Sequence, residues 1–179
     1  MLGPILYLIY VNELPYISDQ FSTCLFADDT TLIFENSNKY DLFRQCDYGI
    51  NLFYSWCCAN RLSINITKTN MMLFSKVIDP TDIADVYMNN TKINYASSTR
   101  FLGVLIDDKL RFNLHINEIA KKISKNIGVL YKLRDFVPQN TLLSVYRSII
   151  ECYINYCNLI FGNTLITHIS PLVITQKKQ

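Results

Sequence analysis

The run Cys24-Leu25-Phe26-Ala27-Asp28-Asp29-Thr30-Thr31-Leu32-Ile33-Phe34 sets two adjacent carboxylates between two short apolar, β-prone stretches. The pattern predicts a hairpin, with strands over residues 21–26 and 30–34 and an acidic tip. Asp tolerates turn conformations, so it suits the tip sterically. Two carboxylates at one turn repel each other unless a cation lies between them, and hard divalent cations such as Mg²⁺ prefer oxygen ligands of this kind. A metal-carrying hairpin is one half of a site for nucleotidyl transfer. The other half is a further carboxylate, and no other stretch of the sequence offers a convincing one. Taken alone, the acidic pair reads more readily as an exposed hairpin turn.

The rest of the chain must hold that tip in place. Of its 179 residues, 50% are hydrophobic and 18% charged, so this is a core-building sequence and not a disordered one. The net charge of +2 supplies no global basic field, so any surface for nucleic acid must be local. Five Gly and five Pro are too few for a Gly-rich linker or a repeat architecture. The six cysteines form no CxxC pair and have no His at knuckle spacing, which favours free thiols in a reducing compartment over a zinc site or a disulfide framework. The apolar start over residues 1–11 lacks a basic leader and a small-residue cleavage site. It is also shorter than the roughly 20 residues needed to cross a bilayer. The expectation is a soluble, intracellular protein without a membrane partner, with nucleus and cytoplasm both open. The abrupt apolar opening at Leu2-Gly3-Pro4 reads as a chain cut inside a fold.

Periodicity then places the elements. Residues 4–14 read as a short buried helix, with Pro4 in its first turn. Asn38 offers an N-cap, and Leu42, Cys46, Ile50, Phe53 and Cys57 follow at helical spacing, giving a helix over 39–60. Residues 65–70 read as a loop, 71–74 as a strand and 79–85 as an exposed connection. Residues 87–95 read as a small hairpin turning at Asn89-Asn90, and 100–107 as a strand with Gly103 as its permissive point. After Asp108 the character changes. Ile116, Ile119, Ala120, Ile123, Ile127, Leu130 and Tyr131 form a helical apolar stripe, and Lys121, Lys122, Lys125 and Lys132 fall mostly outside it. Pro138 breaks the chain, and Leu142, Val145, Tyr146, Ile149 and Tyr153 form a second stripe. The fold class is α+β.

Several of these segments together resemble a known family. Leu2-Gly3-Pro4-Ile5-Leu6-Tyr7-Leu8-Ile9-Tyr10-Val11-Asn12-Glu13-Leu14-Pro15, followed by Phe26-Ala27-Asp28-Asp29-Thr30, resembles the reverse transcriptase of non-LTR (LINE-type, jockey-like) retrotransposons. Trp56-Cys57-Cys58-Ala59-Asn60-Arg61-Leu62-Ser63-Ile64-Asn65-Ile66-Thr67-Lys68-Thr69 resembles the family's fourth palm motif, Phe101-Leu102-Gly103-Val104 its primer grip, and residues 116–162 its thumb. The resemblance implies an incomplete polymerase palm, an antiparallel sheet with helices, over residues 1–108. A small helical thumb would follow over 109–165, and a frayed tail over 166–179.

The resemblance also implies roles. Asp28 and Asp29 would help hold Mg²⁺ while a primer 3′ hydroxyl attacks the α-phosphate of a deoxynucleoside triphosphate, with Asp28 the direct ligand and Asp29 supporting it. Lys68 would neutralise or protonate the leaving pyrophosphate. Gly3 and Pro4 would border the templating base and the incoming nucleotide. Phe101 and Leu102 would anchor a strand at whose Gly103 the primer passes closely. Lys121, Lys122, Lys125, Lys132 and Arg134 would contact phosphates of a duplex between RNA template and DNA primer, and they read equally as the wet face of an amphipathic helix. His115 and His168 take no role. The family's first palm motif, with its essential aspartate, and the fingers precede the point where this sequence starts. The expectation is a polypeptide that binds Mg²⁺ weakly or not at all and does not polymerise alone. A non-catalytic remnant that binds RNA or RNA–DNA duplex, and a relic without function, stay open beside it, and the oligomeric state is not indicated.

Overall fold

A helix start leaves backbone N–H groups without partners. Asn38, in an extended conformation, accepts the N–H of Tyr40 with its side chain and launches helix α2, Lys39–Ala59. The expected span of 39–60 is met to within a residue. Cys46, Ile50, Phe53 and Cys57 recur at intervals of three or four and are buried. With Leu14, Val86, Met88 and Ile93 they form the first core. The computed structural model describes residues 2–75 and 84–162. Most of the connection expected over 79–85, and the whole tail over 166–179, lie outside the described residues.

The predicted acidic hairpin is present. Strands β1, Ser22–Phe26, and β2, Asp29–Ile33, pair antiparallel, with Phe26 opposite Asp29 as the closing pair. Leu25, Leu32 and Phe34 pack on the first core, so α2 is the platform on which the hairpin stands. Gly49 of α2 makes the approach close. A Cβ at this position would lie 2.5 Å from Phe34 Cε1 and 2.9 Å from Phe21 Cδ1, and these two rings stand 5.5 Å apart, tilted at 53°. Gln45 of α2 also donates its side-chain amide to the carbonyl of Gln20, just before β1.

The remaining strands are short. β3 (Asn70–Met71) pairs in parallel with β6 (Asn94–Tyr95), and β4 (Tyr87–Met88) pairs antiparallel with β5 (Thr91–Lys92). Asn89 and Asn90 turn between β4 and β5 with φ of 48° and 59°, as their residue types predict. The strands form four two-stranded sheets among the described residues, so the fold is a mixture of helices and small sheets and not one continuous antiparallel sheet. Residues 72–75 are irregular, which shortens the strand expected over 71–74. Apolar content alone does not make a strand where no partner strand offers its ladder.

Two expectations are corrected. Helix α1, Gly3–Val11, forms where expected but only Val11 is buried, and Leu2, Ile5, Leu6, Leu8 and Ile9 are more than half exposed. Apolar side chains all round a helix state a preference for burial and do not supply the surface that would satisfy it. The expected single strand over 100–107 is instead a hairpin of β7, Ser98–Phe101, and β8, Val104–Asp107. Its two-residue turn is Leu102-Gly103, with φ of 45° and 86°. Such a turn usually carries Asn or Asp before Gly, and the Leu hid it from the sequence pattern.

The chain divides into two compact units, one of residues 2–71 and 84–95, the other of 72–75 and 96–162. The second unit therefore contains the β7–β8 hairpin together with the helices. Asp107 ends β8 and accepts the backbone N–H groups of Lys109, Arg111 and Phe112 with its carboxylate, which folds the chain into the start of α3, Asn113–Leu133. Ile116, Ile119 and Ile123 of the expected stripe are buried against Val104, Phe112, Ile150 and Phe161, and Ala120, Ile127 and Leu130 pack on them. Tyr131 lies outside the stripe's buried part and is exposed. The second stripe is a continuous helical run: α4, Gln139–Tyr146, a π-helical turn, Arg147–Glu151, and α5, Cys152–Asn155. A short α6, Asn158–Phe161, follows. Among the described residues no helix is long and apolar enough to cross a membrane.

The packing at Gly49 yields a sign that helix propensity alone would get wrong. Gly→Ala inside a helix gains about 1 kcal/mol in propensity, yet Gly49→Ala must push the Phe34 and Phe21 rings off α2. Overpacking of this kind costs about 1–3 kcal/mol, so chemical denaturation should show Gly49→Ala to be net destabilising.

Candidate functional site

The acidic tip is built by the shortest hairpin connection. Ala27 and Asp28 are the two turn residues, and Asp29 is the first residue of β2. Both carboxylates are exposed. Ala27 holds φ at 51°, a left-handed conformation that costs an L-residue with a Cβ about 1–2 kcal/mol. The strain is tolerated because the β1–β2 ladder and the packing on α2 hold both strands in register. Two adjacent, solvent-facing carboxylates suit a hard divalent cation in donor type. They are not joined by a third: no cluster of three His, Cys, Asp or Glu residues suited to a metal occurs among the described residues.

The other expected residues lie on separate elements. Lys68 is the last residue of a 3₁₀ turn, Ile66–Lys68, and is exposed. Asn65 shapes that turn, accepting the Thr67 hydroxyl at 2.7 Å on its side chain and the Thr69 hydroxyl at 3.0 Å on its backbone carbonyl. No ion pair joins Lys68 to Asp28 or Asp29 among the described residues. Gly3 and Pro4 begin α1 and are exposed, and the space around Gly3 is open. Within the first unit, α1 is tied to the end of α2 by the Tyr10 hydroxyl, which donates to the carbonyl of Asn60.

The β7–β8 tip in the second unit is held far more tightly than its sequence signals. Phe101 and Leu102 are half-buried and Gly103 is exposed. Leu102 carries the same left-handed strain as Ala27. Three side chains hold this hairpin. Arg100 donates to the carbonyl of Gly103 at 3.3 Å and to the carboxylate of Glu118 at 2.7 Å. His115 accepts the N–H of Leu105 at Nδ1, at 3.3 Å. The Tyr156 hydroxyl donates to the carbonyl of Leu102 at 2.5 Å. His115 is 4% exposed, with its ring edge-on to Phe161, and burial pushes its pKa below the usual 6.5. A neutral ring with a free Nδ1 lone pair is what the bond from Leu105 requires.

Of the five expected phosphate contacts, four are on α3 and Arg134 follows its last residue. All are exposed. Lys122 pairs with Glu118 at 2.7 Å and stands over the Tyr153 ring, and Arg134 pairs with Asp135 at 3.3 Å. Lys121, Lys125 and Lys132 carry no ion pair among the described residues. At 100° per residue these three fall within about 40° of one another around α3, so they form a single stripe of free positive charge.

Sequence reasoning missed Tyr156, Arg100 and His115. The Glu118–Lys122 pair was legible in its i, i+4 spacing. Nothing local marks Tyr156, which meets Leu102 only because a helical run folds back over 54 residues of chain.

A model of the family described as reverse transcriptase (RNA-dependent DNA polymerase) matches residues 1–106. The chain is 24% identical over 99% of its length to a probable RNA-directed DNA polymerase from transposon X-element of Drosophila melanogaster, and 21% identical over 99% to the RNA-directed DNA polymerase from mobile element jockey of Drosophila funebris. It is 24% identical over 73% of its length to a Pol polyprotein from a type-1 retrotransposable element R1 of Nasonia vitripennis, a third of which is covered. The chain spans 20% of the X-element and jockey proteins. No solved structure matches it.

Glu118 gives this region a measurable pH signature. Its hydrogen bonds to Lys122 and Arg100 hold its pKa at about 2, against an ordinary 4.5. A depressed carboxylate pKa contributes stability in full above the unfolded value and loses it as pH falls through the folded one. Thermal unfolding should therefore show stability falling between about pH 4.5 and 2, and Glu118→Gln should flatten that part of the profile.

Proposed function

The chain belongs to the reverse transcriptase (RNA-dependent DNA polymerase) family, and from that premise we propose that it is the C-terminal part of a palm followed by a thumb, serving RNA-templated DNA synthesis by a non-LTR mobile element. The observation that carries this reading is the Asp28-Asp29 pair, exposed at the tip of a braced hairpin inside the matched residues 1–106. Residues 1–108 would be the palm part and 109–165 the thumb. The β7–β8 tip, Phe101-Leu102-Gly103, would be the primer grip.

In this reading Asp28 and Asp29 hold Mg²⁺, for which their hard oxygen donors are suited. Bound Mg²⁺ would stabilise the attacking and leaving oxygens of the transfer. Lys68 supplies positive charge beside the departing pyrophosphate. Gly3 and Pro4, at the start of α1, border the templating base. The stripe of Lys121, Lys125 and Lys132, flanked by Lys122 and Arg134, meets the phosphates of the RNA–DNA duplex. The substrates are an RNA template, a DNA primer and deoxynucleoside triphosphates. Among the described residues no third ligand joins these two carboxylates, and in this reading such a partial metal site binds Mg²⁺ weakly and extends no primer by itself.

The free lysine stripe favours a second reading, in which this polypeptide binds RNA–DNA duplex without catalysis. Binding and extension assays on one preparation separate the two. We expect duplex binding that weakens steeply with salt, and no nucleotide incorporation by this chain. Replacing Lys121, Lys125 and Lys132 together with Gln should lower the slope of log K against log salt by about 2–3. An unchanged slope would remove the lysine stripe from the duplex surface. In a longer polypeptide that supplies the third carboxylate, Asp28→Asn should lower primer extension by several orders of magnitude and leave duplex affinity nearly intact. Equal loss of both would make Asp28 a structural residue.

A further inference from the structure

We infer that Tyr156 is a positioning residue that sets the primer-contacting turn Leu102-Gly103 from the helical segment. The inference rests on the reading of that turn as the primer grip. In a two-residue hairpin turn the carbonyl of the first turn residue lies outside the strand ladder and ordinarily faces water. Here the Leu102 carbonyl accepts the Tyr156 hydroxyl at 2.5 Å. The Tyr156 ring also lies against Gly103: a Cβ there would sit 3.4 Å from Tyr156 Cε1, at ordinary contact distance, and the φ of 86° is what favours glycine. The ring therefore covers one side of the turn, and its hydroxyl holds the carbonyl of the strained residue.

The reach of Tyr156 is prepared upstream. The π-helical turn at Arg147–Glu151 inserts a residue into the run from α4 to α5. One extra residue rotates everything after it by about 100° around the helix axis. Inside that turn the Ile149 carbonyl accepts the side-chain amide of Asn126 from α3. Asn126 thus pins the rotated segment to α3, and Tyr156, at the end of α5, arrives over the turn. Arg100 and His115 complete the seat from β7 and α3. The turn is therefore tied to the helices by side-chain hydrogen bonds.

Tyr156→Phe tests this with little risk to the fold, because Tyr156 is half exposed and keeps its ring. The whole chain would be labelled with ¹⁵N, and a short RNA template annealed to a DNA primer would be the binding probe. One neutral hydrogen bond corresponds to a change of about three- to tenfold. The expected result is a melting temperature lowered by no more than about 5 °C, a shifted Gly103 amide resonance with exchange faster by about three- to tenfold, and duplex affinity weaker by a similar factor. An unaltered Gly103 amide would overturn the tether. A responsive Gly103 amide with unaltered duplex affinity would overturn the positioning role. Should the unsubstituted chain bind no duplex while Gly103 still responds to Tyr156→Phe, the primer-grip reading fails and the tether survives as a structural feature.

Discussion

A two-residue connection between antiparallel strands strongly favours at least one residue at positive φ, because that geometry best matches the right-handed twist of the strands it joins. Among the described residues three hairpins follow this preference. Asn89-Asn90 meets it with residues that tolerate it. Ala27 and Leu102 do not tolerate it well, and these two strained turns carry the acidic pair and the proposed primer-contacting residues. Strained backbone persists only where surrounding structure over-determines it. Both turns are over-determined, by different means, and much of the remaining architecture supplies those means.

At the acidic tip the means is packing. Phe21 and Phe34 settle against the gap that Gly49 leaves in α2, and Leu25 and Leu32 join the first core. The strands are held at their base, and both carboxylates at the tip are exposed, with no ion pair to either among the described residues. At the β7–β8 tip the means is polar. Arg100, His115 and Tyr156 each meet a backbone group of the hairpin, and Glu118 draws Arg100 and Lys122 together. The tip proposed to hold a cation is thus gripped from below, and the one proposed to lie along a primer is gripped from the side. The same economy shapes α3. Lys122 is spent on Glu118 and on the Tyr153 ring, which leaves Lys121, Lys125 and Lys132 as a narrower electrostatic surface than five basic residues in sequence imply.

Periodic and capping signals were legible from the chain. The N-cap at Asn38, the stripe of α2, the acidic hairpin and the buried isoleucines of α3 all follow from spacing that repeats within a few residues. The β7–β8 turn was not legible, because Leu102 stands where Asn or Asp usually advertises it. The burial of α1 was over-read, since an apolar helix does not specify its own cover. The π-turn was invisible, because one inserted residue barely disturbs an apolar period of three to four. His115, set aside as an isolated histidine, turned out to be a hydrogen-bond acceptor for the backbone of a neighbouring strand.

By itself the sequence determined the family, the long helices α2 and α3 and the placing of Asp28 and Asp29 at a hairpin tip. Each of these depends on residue type at short spacing, which is written along the chain. Only the tertiary structure decided that Gly103 sits in a turn and not in a strand, that Tyr156 reaches Leu102 across 54 residues, and which lysines of α3 keep their charge free. Those outcomes depend on contacts between segments remote in sequence. Such contacts are settled by how cores pack and how buried polar groups find partners, and no local pattern encodes them.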